Sequence, residues 1–268
     1  MSEGTGPAVR LVVEGDVLRA TIDRPSTRNA IDSNVLAGLE EMVEVARDEA
    51  VKVVVLRGGD GTFCSGADLN LLRSWRGDTV ALRSFMSRLG RVLEELERAP
   101  WVNLAVIEGY AVAGGCELLL ACDIVVSSTE ARIGDRHAEY GLVPAAGGSV
   151  RLPRAIPPLL ARYLLLTGEM ISGTEAVEMG LATLAVAPAK LDQEVDRIVE
   201  RLRTRGYATL ATVKAMLADD RAAEMSPRLS RELDLFVSHF ESAADPRIGL
   251  DAFRDGVKPA FAADRHDR

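Results

Sequence analysis

The sequence predicts an α/β domain that ends in a helical extension. Three features carry that expectation. Short apolar runs alternate with helical patterns as far as about residue 187. Two glycine-rich segments each join an apolar run to a helical pattern. Beyond residue 187 the pattern is helical. Residues 1–200 are therefore expected to form the core, and residues 201–268 a helical C-terminal region.

The elements follow in order. Residues 10–23 read as two strands around Glu14-Gly15-Asp16, and Arg24-Pro25-Ser26 breaks the pattern. Asp32 or Ser33 can cap a helix running to about residue 50, with Leu36, Leu39, Val43 and Ala46 at helical spacing. Residues 51–56 are nearly all apolar, as expected of a strand buried on both faces. Residues 58–66 hold four glycines and form a loop. A helix over 78–98 is ended by Pro100, and Val102–Ile107 is a second buried strand. A glycine-rich turn at 109–115 leads into a helix at 116–122, then a strand at 124–127. From Pro157 the pattern is helical except for a strand at 182–187.

Composition narrows the function classes. The chain has 268 residues, 47% of them apolar, which is enough for a large core without disulfides or metal. A net charge of -8 argues against nucleic acid, whose binding needs a cationic surface. Uncharged stretches reach only about 11 residues, against the roughly 20 of a membrane span. The N-terminus lacks the basic start and apolar run of a signal peptide. Cys64, Cys116 and Cys122 form no CxxC pair, so neither a disulfide framework nor a metal site is expected. A cytoplasmic protein fits these features, with the cysteines as small buried packing residues.

The chemistry-bearing residues cluster in the two glycine-rich loops. The first is Phe63-Cys64-Ser65-Gly66-Ala67-Asp68-Leu69, and the second runs from Gly109 to Glu117. N–H groups at a helix start lack backbone partners and carry the positive end of the helix dipole. Two such loops side by side would aim two donors at one oxygen, each worth about 3–4 kcal/mol in a transition state. Either loop alone is more often just a tight turn. Glu117 falls one turn into the second helix, on the side of Gly114, as a candidate acid or base or as a capping residue.

Taken together, these residues resemble the crotonase family, also called the enoyl-CoA hydratase/isomerase family. Arg24-Pro25 with Asn29-Ala30, the Phe63–Leu69 stretch and the run from Asn103 to Asp123 are similar to its ordered motifs. So are Gly141-Leu142-Val143-Pro144, Gly147-Gly148, Arg151-Leu152-Pro153, Leu166-Thr167-Gly168 and the ending Lys258-Pro259-Ala260-Phe261. The resemblance implies a spiral of ββα units, a C-terminal trimerisation region, and homotrimers or homohexamers. It implies an acyl-CoA thioester substrate, with coenzyme A part of that substrate and no separate cofactor. The thioester carbonyl would lie between the N–H groups of Ala67 and Gly114, with Asp68 and Leu69 beside it. Glu117 matches the first catalytic glutamate. Ala113 replaces the family's glycine before Gly114. Arg28 and Lys258 are the candidate contacts to the CoA phosphates, although Gly256-Val257 replaces the family's basic pair before Lys258.

One departure bears on the reaction. The family's hydratases carry a second glutamate twenty positions after the first, and that position here is His137, one of three histidines. A carboxylate–imidazole pair can run hydration of a 2-enoyl thioester, a proton shift between C2 and C4, or hydrolysis. If the segment is extended, Asp135, His137 and Glu139 share a side, and a carboxylate can orient the imidazole. If it is helical, they diverge. Glu139 is an alternative second carboxylate, and His239 and His266 are read as bystanders. Trp75, Phe85 and Met86 lie in the region that would shape the acyl pocket. Hydratase/isomerase-type chemistry leads; a hydrolase or C–C cleaving enzyme using His137, or a non-catalytic acyl-CoA binder, are the alternatives.

Overall fold

The computed structural model describes residues 6–259, and residues 218–226 by their backbone alone. Strands β1 (Val9–Glu14) and β2 (Val17–Ile22) pair antiparallel. Asp32 caps α1 (Ser33–Asp48) by accepting from the N–H groups of Asn34 and Val35, and the spaced Leu36, Leu39, Val43 and Ala46 are all buried. β3 (Val53–Gly58) lies beside β2 and runs parallel to it. Asp68 caps α2 (Leu69–Ser74) and Asp78 caps α3 (Thr79–Arg98). β4 (Val102–Ile107) is buried at every residue. It is followed by β5 (Tyr110–Val112), α4 (Gly114–Leu120), β6 (Ile124–Ser128) and β7 (Arg132–Gly134). The chain continues through α5 (Gly148–Ala155), α6 (Pro158–Thr167), β8 (Ile171–Ser172) and α7 (Gly173–Met179). It ends with β9 (Leu184–Val186), α8 (Leu191–Arg203), α9 (Tyr207–Ser242) and α10 (Asp245–Arg254).

The strands form two sheets. The larger has the order β1-β2-β3-β4-β6-β9, and the smaller β5-β7-β8. β4 in the first sheet leads to β5 in the second and then to α4; β6 and β7 repeat the step. These two turns each add one strand to each sheet before the next helix, and in the preceding turns the isolated bridges Ile31–Ala67 and Cys64–Ala111 stand where the second strand would be, which gives the crotonase-like spiral of ββα units. A bridge between Cys64 and Ala111 ties the first glycine-rich loop to the edge of the smaller sheet. Sequence patterning shows neither β7 nor β8 and reads β5 as part of a turn, because two or three residues are too few to display alternation.

The central strands are buried on both faces. Val54, Leu56, Ala105 and Ile107 join the main core, while Val53, Val55, Leu104 and Val106 pack against α8. Period-two geometry sends alternate residues to opposite cores, so both must be apolar. The C-terminal helices close over the spiral. α9 packs on α3 and α5, and α10 packs on α2 and on the turn at His137–Tyr140. Lys214 fixes α9 by donating to the carbonyls of Leu96 and Trp101 and to Asp123 Oδ2. Among the described residues no helix is long and apolar enough to cross a membrane.

Candidate active site

The two glycine-rich loops lie against each other, and local bonds explain why. Asn29 is fully buried in left-handed backbone, with φ of 58°. Its side chain accepts from Arg24 N and donates to the carbonyls of Gly59 and Thr62, locking the segment after β2 onto the loop after β3. Arg24 lies near both helix caps, 3.4 Å from Asp32 and 3.5 Å from Asp68. Cys64 N donates to Tyr110 O and Val112 N donates to Cys64 O, which zips the first loop to β5. A Cβ on Gly114 would sit 3.4 Å from Ala67 N, so the two backbones are in direct contact there. Among the described residues no backbone carbonyl accepts from Ala67 N or Gly114 N. The sequence-predicted pair of donors is therefore adjacent and open.

Ala113, which precedes Gly114, has φ of 50° and ψ of -116°. An L-residue adopts this region only under strain. Its N–H donates to Gly134 O, which helps to hold the turn.

Glu117 is almost completely buried. Its carboxylate does not cap its own helix. Oε1 accepts from Ala146 N at 2.9 Å and from Gly148 N at 2.8 Å, across at the start of α5. Burial, reinforced by the nearby charges of Glu232 and Asp135 and opposed by His137, raises its pKa to about 7. It therefore keeps a proton to higher pH than an ordinary carboxyl does.

His137 stands at the start of a short 3-10 turn, neither in a strand nor in an α-helix. Arg136 before it takes a left-handed conformation, with φ of 53°. That kink returns Asp135, which is 2% exposed, to the imidazole: Oδ1 lies 2.8 Å from Nδ1. Burial lowers the pKa of the ring, but the Asp135 charge and hydrogen bond, with Glu117 and Glu232, outweigh it and bring the value to about 9. Asp135 Oδ2 and Glu117 Oε1 both lie within 3.2 Å of the place where a Cβ on Gly148 would stand. Asp135, His137 and Glu117 are thus one cluster. Glu139 turns away and pairs with Arg136.

An inner cavity is lined by the polar site residues Glu117 and His137 with Ala67 and Gly114, and by the apolar Leu72, Met86, Leu142 and Phe236. Its mouth opens on an outer groove that shares Ala67, Leu69, Arg136 and Tyr140 and adds Arg28 and Phe253. The Arg28 guanidinium lies over the Tyr110 ring, 5.5 Å from its centroid. Asp68 lines the groove, but its carboxylate is engaged in capping α2. Lys258 is exposed and is not one of the groove's lining residues. Met86 reaches the cavity, whereas Phe85 packs on Trp75 with ring centroids 5.1 Å apart.

Other candidates fall away from the chemistry. Burial pushes the Cys64 and Cys122 thiols up to about 12 and the Cys116 thiol well above its ordinary value, so none is a thiolate near neutral pH. His239 Nε2 bonds Gly141 O at 2.7 Å and pins α9 to the loop after the 3-10 turn. His266 and the Ala260-Phe261 ending lie outside the described residues.

A model of the enoyl-CoA hydratase/isomerase family matches residues 13–264. The chain belongs to the enoyl-CoA hydratase/isomerase family. Crotonyl-CoA hydratase of Syntrophomonas wolfei is 30% identical to it over 242 residues, covering 90% of this chain and 92% of that protein. The mitochondrial enoyl-CoA hydratase domain-containing protein 2 of Mus musculus is 38% identical over 249 residues, covering 90% and 82%. Among solved structures, an enoyl-CoA hydratase from Bacillus halodurans superposes with a TM-score of 0.85 at 26% identity, covering 91% of this chain and 99% of that one. An enoyl-CoA hydratase/isomerase from Xanthobacter autotrophicus gives 0.86 at 25% identity, covering 93% and 94%. Membership in the crotonase family makes this an acyl-CoA-processing enzyme of hydratase/isomerase type.

Within that family frame, some site residues escape sequence reasoning, Phe236 and Glu232 among them. Both come from α9, far along the chain from the loops. Their one sequence signal is a carboxylate among apolar residues at helical spacing, which an exposed helix face displays equally well.

Proposed function

We propose that this enzyme adds water across the 2,3 double bond of an enoyl-CoA, with Glu117 as base and His137 as acid. The observation that carries the reading is that the buried Glu117 carboxyl and the Asp135-bonded His137 ring line one cavity together with Ala67 and Gly114, whose N–H groups have no backbone acceptor among the described residues. The thioester oxygen sits between those two donors. Glu117 takes a proton from water as its oxygen bonds to C3, and the electron pair moves onto the thioester as an enolate. The two N–H groups hold the enolate oxygen. His137 then delivers its proton to C2, and the apolar lining keeps other water out. The acyl chain lies along Leu72, Met86, Leu142 and Phe236, and the CoA lies in the outer groove near Arg28.

A second reading has its own support. The Asp135–His137 pair has the arrangement that turns an imidazole into a base for water, which suits hydrolysis or C–C cleavage. Product analysis separates the two. Purified protein is incubated with an acyl-CoA panel and followed by mass spectrometry. Hydration gives hydroxyacyl-CoA, a gain of one water with the thioester intact. Free CoA or a broken carbon skeleton supports the second reading, and binding without any turnover supports a non-catalytic role.

We also read the chain as self-associating. Leu159, Tyr163 and Leu166 form one exposed apolar stripe on α6, at 76%, 50% and 78% exposure. Light scattering after gel filtration should give a mass of three or six chains; a monomer would overturn it.

A further inference from the structure

Glu232 rises from α9 into the same cluster, and it is only 6% exposed. Its carboxylate takes three bonds from the start of α5: from Gly147 N, from Ser149 N at 2.8 Å and from Ser149 Oγ. The neighbouring N–H groups of Ala146 and Gly148 go to Glu117. Four successive N–H groups, 146 to 149, thus alternate between two buried carboxylates. The ribbon cannot follow one carboxylate without moving against the other. Gly147 makes the ribbon possible. Its φ is 106°, and a Cβ there would meet the Arg151 guanidinium at 1.8 Å. Arg151 braces the ribbon from behind, donating to Ala146 O at 2.5 Å and pairing with Glu97 of α3 through two bonds.

A helix start needs no buried charge. Serine or asparagine would satisfy the same N–H groups without desolvating a carboxylate. A second carboxylate next to Glu117 therefore calls for another explanation. We propose that Glu232 is a positioning residue for Glu117: it fixes the 146–149 ribbon that holds the Glu117 carboxylate and sets a second negative charge within reach of the His137 ring. The charged groups around it are Glu117 on α4, Asp135 and His137 after β7, Arg151 on α5 and, through Arg151, Glu97 on α3. Burial, opposed by the bonds from Ser149 and Gly147 and by Arg151, leaves the Glu232 carboxyl above its ordinary range. Its charge raises both Glu117 and His137, so it favours the proton on each.

The inference rests on reading Glu117 as the base, and the test separates the two. The first measurement needs no substrate. The imidazole NMR signals of the three histidines are titrated in the wild type and in Glu232→Gln, with His137 assigned by its loss in His137→Ala. The His137 midpoint should fall by about one pH unit in Glu232→Gln and stay near the wild-type value in Glu232→Asp, which keeps the charge. On the best acyl-CoA of the panel, Glu232→Gln should lose about tenfold in kcat with KM within about twofold, and both limbs of its pH profile should move to lower pH. Should Glu232→Gln fail to fold, Ser149→Ala removes one of the three bonds, and its kcat should fall about threefold at unchanged KM. An unmoved His137 midpoint together with unchanged kcat in Glu232→Gln overturns the inference, as does unchanged kcat in Ser149→Ala. An active Glu117→Gln overturns the reading of Glu117 instead, whereas an inactive Glu117→Gln beside an unaffected Glu232→Gln overturns only the role of Glu232.

Discussion

Asp135 Oδ1 lies 2.8 Å from His137 Nδ1, across a backbone that turns left-handed at Arg136. In that bond Nδ1–H donates to the aspartate, which leaves Nε2 to face the substrate. It also sets the pH range of the site. Glu117 has to be ionised to take a proton from water, so kcat/KM should rise with pH through about 7. His137 has to carry a proton to give one to C2, so the rate should fall as pH rises through about 9. The profile expected of hydration is a bell with its top near pH 8. Steady-state rates between pH 5 and pH 10 would check it. A rate that climbs through pH 9 without falling would instead mark a neutral imidazole acting as base, as hydrolysis requires.

Replacing Asp135 isolates the aspartate's part. In Asp135→Asn the ring stays buried but loses the charge that opposes burial, and burial alone lowers a histidine pKa. The upper limb of the bell should move down by about two pH units, and kcat at pH 8 should fall about tenfold. KM should change little, because Asp135 is not one of the residues lining the cavity or the groove. A variant with an unshifted upper limb would show that the aspartate merely packs against the ring.

Glu117→Gln tests the base directly. The amide oxygen can still accept from Ala146 N and Gly148 N, since a single Glu117 oxygen takes both bonds. The fold should persist, with a melting temperature within about 3 °C of the wild type. Turnover should drop by about a thousandfold or more, because the amide cannot accept the proton from water. Kinetics and a thermal melt on the same preparation decide it. A stable variant with more than a tenth of the original kcat would remove Glu117 from the mechanism.

These predictions draw unequally on the sequence and on the fold. The two loops and the place of Glu117 are legible because each depends on residues close in the chain, whereas the pairing of the Ala67 and Gly114 N–H groups across 47 positions is legible only through the family resemblance. Glycine at a strand-to-helix junction and a carboxylate one turn later specify their own geometry. The Asp135–His137 bond is half legible. Alternation offers it only if the segment is extended, and the segment is a left-handed kink followed by a 3-10 turn. The kink brings the same partners together by another route and sends Glu139 to Arg136. Glu232 is not legible at all. It reaches the site because α9 folds back over α5, and no local pattern records which helix will cover a cleft. Asp68 shows the opposite case: its place beside Ala67 is readable, but its bonds to the N–H groups of Asn70 and Leu71 make it a cap before anything else.

The strain at Ala113 gives a prediction about stability, separate from catalysis. Ala113 has φ of 50° and ψ of -116°, where its Cβ crowds the backbone. Its Cβ also lies 3.0 Å from the point a Cβ on Gly66 would occupy, so the two loops close tightly around it. Such a conformation costs an L-residue about 1–2 kcal/mol and costs glycine little. Glycine also loosens the unfolded chain, which takes back about 0.5 kcal/mol or more. Ala113→Gly should therefore stabilise the protein by about 1 kcal/mol and raise the melting temperature by about 2 °C. Turnover should stay within about twofold of wild type, because the Gly114 N–H keeps its place at the start of α4. Calorimetry and kinetics on the variant check both halves. A lower melting temperature would mean that the alanine side chain contributes packing that outweighs its backbone strain.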